Sequence, residues 1–211
     1  PAYDFSRPQV VFATTLKETV VTPDIDPAAL HAILQTGQMV VVNENPANSD
    51  LSWLTTAGIL VQAPPDQVYA VIQDVDSYPE FMPQTESTRK EAVTEAVDRV
   101  FYELGIKILF LKIKVPYSVY HYNRPPHRVD WVMADGDFEC NYGAYEVVPV
   151  PGASGQSMLF YTSYALPRNR MVNMFFDKIP SLDMMINLST GILVVKALKQ
   201  RAENLAGRDK P

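Results

Sequence analysis

The chain is poor in cysteine, in histidine and in clustered charge, and each shortage removes a class of function. One cysteine, Cys140, among 211 residues excludes an intramolecular disulfide and any thiolate-based metal cage, which needs several Cys at close spacing. The 3 histidines, His31, His121 and His127, lie far apart without metal-ligand spacing, so no metal or other cofactor is expected. Formal net charge is −6, and no Lys/Arg block is longer than a pair. Nucleic acids and anionic membranes are gripped by clustered cations, so nucleic acid is not an expected partner. A membrane-spanning helix needs about 20 apolar residues. The richest stretch, Leu182 to Leu198, is interrupted by Asp183, Asn187, Ser189, Thr190 and Lys196. Stable membrane insertion is therefore not expected, while transient contact with a membrane stays open. There is also no Gly-x-Ser-x-Gly elbow, no phosphate-binding glycine loop and no carboxylate pair that demands a mechanism.

What remains is an ordinary globular composition, 47% hydrophobic and 20% charged, in a chain long enough to bury a sizeable core. Its aromatics include 11 Tyr, 9 Phe and 2 Trp, many of them in the middle. Tyrosine joins an apolar body to a polar tip, which suits both strand surfaces and the walls of an amphipathic pocket.

Periodicity divides the chain into 1–50 and 51–211. In the first part a Pro-rich extended arm reaches Asp26-Pro27, an N-cap followed by Pro at the first helical position. A short helix through Leu30, Ile33 and Leu34 stops at Gly37, and Gln38 to Asn43 reads as a strand. The second part opens with a strand from Leu51 to Gln62. Two short helices follow, the first carrying Val68, Val71 and Ile72, the second ending near Phe81-Met82-Pro83. Six β-like segments then run from Thr85 to Leu166, separated by turn signals at Asn123 to Pro126, Asp135-Gly136-Asp137 and Pro151 to Gly155. Short turns between consecutive strands imply an antiparallel meander. In the third segment Leu111, Ile113, Val115, Tyr117 and Val119 alternate with Lys112, Lys114, Ser118 and Tyr120, giving one core or cavity face and one wet face.

The period changes from two to 3.6 at the C-terminus. Met184, Leu188, Gly191, Val195, Leu198, Ala202 and Leu205 form one stripe of a helix predicted from Ser181 to Leu205, roughly 37 Å long at 1.5 Å per residue. Only the sheet is large enough to receive it. Met171, Met174, Met184 and Met185 near its start suit a surface that accepts variable apolar partners, or equally a core.

The stretch from Ala57 to Glu91, AGILVQAPPDQVYAVIQDVDSYPEFMPQTESTRKE, resembles the opening of the START-related, polyketide cyclase/dehydrase and coenzyme Q-binding superfamily (SRPBCC). Ala63-Pro64, Val68-Tyr69, Val71, Asp74-Val75 and Tyr78-Pro79-Glu80-Phe81 carry the likeness. Gly136-Asp137-Phe138 and Gly143-Ala144-Tyr145 resemble the later strand pair of that superfamily, and the likeness spans roughly residues 51 to 206. It implies an α+β helix-grip fold, a curved antiparallel sheet wrapped around a long C-terminal helix, with two short helices after the first strand. It also implies an apolar cavity holding a hydrophobic small molecule or lipid. Leu34 to Val42 is similar to the preface of exported bacterial members, and with Pro1 as first residue it leans toward a periplasmic location after removal of a signal peptide.

The expected function is binding or transport of such a ligand, with walls from Tyr102, Tyr117, Trp131, Tyr145, Phe160, Tyr164, Met184, Met185 and Leu188. The alternative is a cyclase or dehydratase in the same cavity, with His121, on the inward parity of Val119 and Tyr117, a Tyr hydroxyl or an acid as proton shuttle. A third is an interaction module whose helix-grip surface does the work. Asp130 is expected to point outward if Trp131 points inward, Asp137 and Glu139 to be solvated, and Cys140 to be an inert strand thiol. The oligomeric state is left open.

Overall fold

A computed structural model describes residues 27–44, 54–108, 111–168 and 182–208. The extended arm, part of the polar loop before Asp50, and Met171 and Met174 lie outside the described residues. The elements are α1 (Pro27–Gln35), β1 (Val40–Glu44), β2 (Leu54–Val61), α2 (Pro65–Gln73), a 3-10 turn (Val75–Ser77) and α3 (Tyr78–Phe81). They continue as β3 (Thr85–Ala92), β4 (Val97–Ile108), β5 (Leu111–Arg124), β6 (Arg128–Gly136), β7 (Phe138–Pro149), β8 (Ser157–Pro167) and α4 (Leu182–Arg208).

The described strands join one 8-stranded antiparallel sheet in the order β1-β2-β8-β7-β6-β5-β4-β3. The meander from β3 to β8 therefore brings its last strand back against β2. The short helices carry the chain from β2 to the opposite edge. Strand β1 belongs to this same sheet, paired Val40 to Gly58 and Glu44 to Leu54.

Strand alternation sends odd and even residues to opposite faces, and the two faces meet different helices. On one face Ala57, Ile59, Val61 and Leu159 pack with Val68, Val71 and Ile72 of α2 and with Val195, Leu198 and Ala202 of α4. On the other, Leu60, Met158 and Phe160 pack with Leu30 and Leu34 of α1. Val195, Leu198 and Ala202 are fully buried, so this half of the apolar stripe on α4 does what its spacing predicts. Burying a side chain such as Leu198 contributes about 1.5–3 kcal/mol.

The outer face of β5 is less wet than the alternation predicts. Ser118 is 3% exposed because the Arg99 guanidinium folds over it, donating to the Ser118 hydroxyl at 3.1 and 3.3 Å. The turn between β6 and β7 places Gly136 at φ 121°. A Cβ there would lie 2.4 Å from the Tyr117 Cα and 2.5 Å from the Pro116 carbonyl oxygen, so only glycine lets the turn press this closely on β5.

Candidate functional site

Between the first of these faces and α4 lies a partly open cavity of about 150 Å³. The strand register orders its wall along β5. At one end sit Leu104, Ile106, Val115 and Phe138, with Pro83, Gln84 and Thr85 before and within β3, and Pro167 at the end of β8. At the other end sit Tyr78, Tyr102, Val119, His121, Trp131, Tyr145 and Tyr161. One end is mostly aliphatic, with Phe138 where it meets the rings. The other is aromatic with polar tips.

The aromatic end is a chain of ring contacts. Tyr102 stacks on Tyr117 with centroids 5.0 Å apart and planes 10° from parallel, and Tyr117 meets Phe138 edge-on at 5.0 Å. Trp131 lies 5.0 Å from Tyr145 and 5.4 Å from Tyr161. Offset and edge contacts of this kind each add about 0.5–1.5 kcal/mol beyond area burial. Trp131 can lie flat over β7 because Gly143 has no side chain: a Cβ there would sit 2.2 Å from the indole. The indole Nε1–H donates to Asn141 Oδ1 at 3.0 Å.

His121 is 2% exposed, and its Nε2 lies 3.5 Å from the Tyr102 hydroxyl. Burial, helped by the nearby positive charge of Lys90, lowers its pKa to about 3, so the imidazole is neutral at ordinary pH. Burial likewise raises the hydroxyl pKa of Tyr78, Tyr102, Tyr117, Tyr145 and Tyr161. The thiol of Cys140 is pushed up to about 11 by burial, as befits an inert strand cysteine. Asp130 points away from the cavity, held by Arg128 Nε at 2.8 Å and Arg124 Nε at 3.2 Å. Among the described residues, the cavity wall contains no Asp, Glu, Lys or Arg.

Of the residues expected on the wall from sequence, Tyr102, Tyr117, Trp131, Tyr145 and His121 are there. Phe160 and Tyr164 are not: they carry the opposite parity on β8. Phe160 packs against α1 and Tyr164 stacks on Tyr142 at 5.0 Å, leaving Tyr161, Ser163 and Ala165 to face the cavity. Met184, Met185 and Leu188 are also off the wall, and Met185 is 58% exposed. The apolar stripe of α4 turns toward β2, where Gly191 sits over Ala57 and Thr55. The cavity is met instead by Ile186, Asn187, Thr190 and Val194. Asn187 and Thr190 look like breaks in an apolar run, and that polarity was the available signal.

These features define a helix-grip domain: a curved antiparallel sheet closed by one long helix, with a cavity between them. The chain belongs to the polyketide cyclase / dehydrase and lipid transport family, whose sequence profile matches residues 61–184. No curated protein matches the sequence. Solved structures share the fold at low identity. A STAR-related lipid transfer protein from Xanthomonas axonopodis superposes with a TM-score of 0.60 at 15% identity, over 78% of this chain and 93% of that one. The Zhui aromatase/cyclase from Streptomyces sp. R1128 gives 0.54 at 13%, over 80% and 96%. A START superfamily protein from Mycobacterium smegmatis gives 0.57 at 14%, over 72% and 98%.

Proposed function

We propose that the protein binds and carries a hydrophobic small molecule or lipid in this cavity, with residues 51–211 as the binding domain. The observation that supports it best is a wall of apolar and aromatic side chains whose polar atoms are all neutral. Transferring a charged group into such surroundings is costly without a counter-charge, so the buried part of the ligand is uncharged. Size adds a constraint. A ring-sized group burying on the order of 200 Å² gains about 5 kcal/mol at 25 cal/mol per Å², against association costs of about 4–15 kcal/mol. Tight binding therefore requires a ligand that extends beyond the ring it places inside. Native mass spectrometry after gentle purification, followed by thermal shifts with a lipid and quinone panel, tests the reading. The expected result is a co-purified mass or stabilisation approaching about 2.7 kcal/mol at a hundredfold excess over Kd. An empty chain that no panel member stabilises would overturn it.

The His121–Tyr102 pair at 3.5 Å supports a second reading, a cyclase or dehydratase acting in the same cavity. A shuttle works best with a pKa near the working pH, and a histidine held near 3 is a weak base. On this reading His121→Ala abolishes turnover of a polyketide-type substrate while its binding survives. Turnover that persists in that variant removes His121 from the chemistry.

A further inference from the structure

Several polar atoms on the aromatic end of the cavity are matched inside the protein, and the hydroxyls of Tyr117, Tyr145 and Tyr161 can each donate or accept. The Tyr78 hydroxyl donates to the Ile72 carbonyl at 2.7 Å, and the Tyr102 hydroxyl and His121 Nε2 face each other at 3.5 Å. Asn141 differs. An indole N–H can only donate, so Asn141 must turn its carbonyl oxygen to Trp131, and the two N–H groups of its amide are then directed away from that contact. Asn141 is 8% exposed and lines the cavity, yet Nδ2 forms no hydrogen bond with another described residue. It is also not among the polar atoms sealed off without a partner. Asn141 is therefore a cavity-lining amide with two N–H groups that no described residue accepts. The orientation is held from behind: Gly143 admits the indole, and the indole holds the amide.

We propose that the Nδ2 amide of Asn141 is the cavity's specificity-determining donor, and that it binds a neutral oxygen acceptor, a ring ketone or quinone-type carbonyl, on the buried part of the ligand. The inference rests on the reading that the cavity takes a hydrophobic ligand. A primary amide nitrogen donates and does not accept, so it selects for acceptors. The Tyr117 hydroxyl, which can do either, imposes no such choice. Without this donor a carbonyl loses its water and is left to hydroxyls that serve donors and acceptors alike, so its advantage over the oxygen-free analogue falls. Trp131 acts as a positioning residue.

The test uses 1-indanone and indane, bicyclic rings that differ by the carbonyl, titrated into the full chain by calorimetry or by displacement of an apolar fluorescent dye. The Kd ratio of indane to indanone is read in the wild type, in Asn141→Leu and in Trp131→Phe. The expected result is a ratio at least tenfold lower in Asn141→Leu, through loss of indanone binding with indane little changed. A smaller fall is expected in Trp131→Phe, where the amide is free to turn, and that variant carries the test if the leucine variant does not fold. Ratios within twofold of the wild type in both variants overturn the assignment to Asn141 while leaving ligand binding intact. Indane binding the wild type at least as tightly as indanone also overturns the assignment, and leaves the reading of the cavity as a hydrophobic ligand site standing.

Discussion

His121 occupies the inward parity of β5 opposite Trp131 on β6, and its burial gives it a thermodynamic signature. Its pKa falls from 6.5 to about 3 on folding. Between those values the unfolded chain holds a proton that the folded chain does not, so stability is complete above about pH 6.5 and is lost as pH falls toward 3. The slope reaches at most about 1.4 kcal/mol per pH unit. Urea midpoints at pH 7 and pH 5 are expected to differ more for the wild type than for His121→Gln, and equal pH dependence of the two would sink the assignment. Gly143 makes a second test at this scale. A methyl at this position meets the Thr162 carbonyl oxygen at 2.2 Å as well as the indole, and backbone cannot yield as a flexible side chain can. Gly143→Ala is expected to destabilise by about 1–3 kcal/mol and to shift the tryptophan emission, both read in one denaturation series.

Among the elements, α4 shows where periodicity informs and where it misleads. Its stripe at spacings of three and four marks the residues that touch the sheet, and Val195, Leu198 and Ala202 are fully buried. Leu198→Ala is expected to lose about 2–5 kcal/mol, as buried leucine truncations do, measured by chemical denaturation. The same stripe was a poor guide to the cavity, because the part of a helix that meets a cavity need not be its most apolar part. Gly191 is informative for the opposite reason to Gly143. A Cβ there would find Ala57 and Thr55 at 3.5 Å and Tyr161 at 3.8 Å, which is ordinary contact. With the helix propensity gain, Gly191→Ala is expected to stabilise by up to about 1 kcal/mol, visible as a higher melting temperature. A loss of stability would show that the helix needs closer approach to β2 than these distances require.

On the scale of the whole molecule, the cavity exists because five elements end or turn around one axis. The end of β4, the β6–β7 turn, the end of β8, the start of β3 and the first turns of α4 surround its aliphatic end, while β5 runs along its length. Filling that space should separate binding from folding. Ala165→Phe places a ring among the lining residues and is expected to weaken binding of any cavity ligand at least tenfold. Stability should change by no more than about 1–3 kcal/mol, the range for added volume at packed sites. Undiminished binding in this variant would place the ligand elsewhere.

The sequence by itself determined the α+β element order, the meander and the long terminal helix, because periods of two and 3.6 are local properties of the chain. It also marked Tyr102, Tyr117, Trp131, Tyr145 and His121, whose strands alternate cleanly around them. Only the tertiary structure decided which face of β8 looks inward, since Phe160 and Tyr161 are both aromatic and both buried, and parity alone does not say which face α1 covers. It also decided that Asn141 faces a cavity. An asparagine in a strand of mixed polarity has no local mark of its role, and the indole that orients it comes from the neighbouring strand, through a gap left by a glycine two residues away. An ordinary share of charged residues in the chain leaves none on that wall, where among the described residues every polar group is neutral.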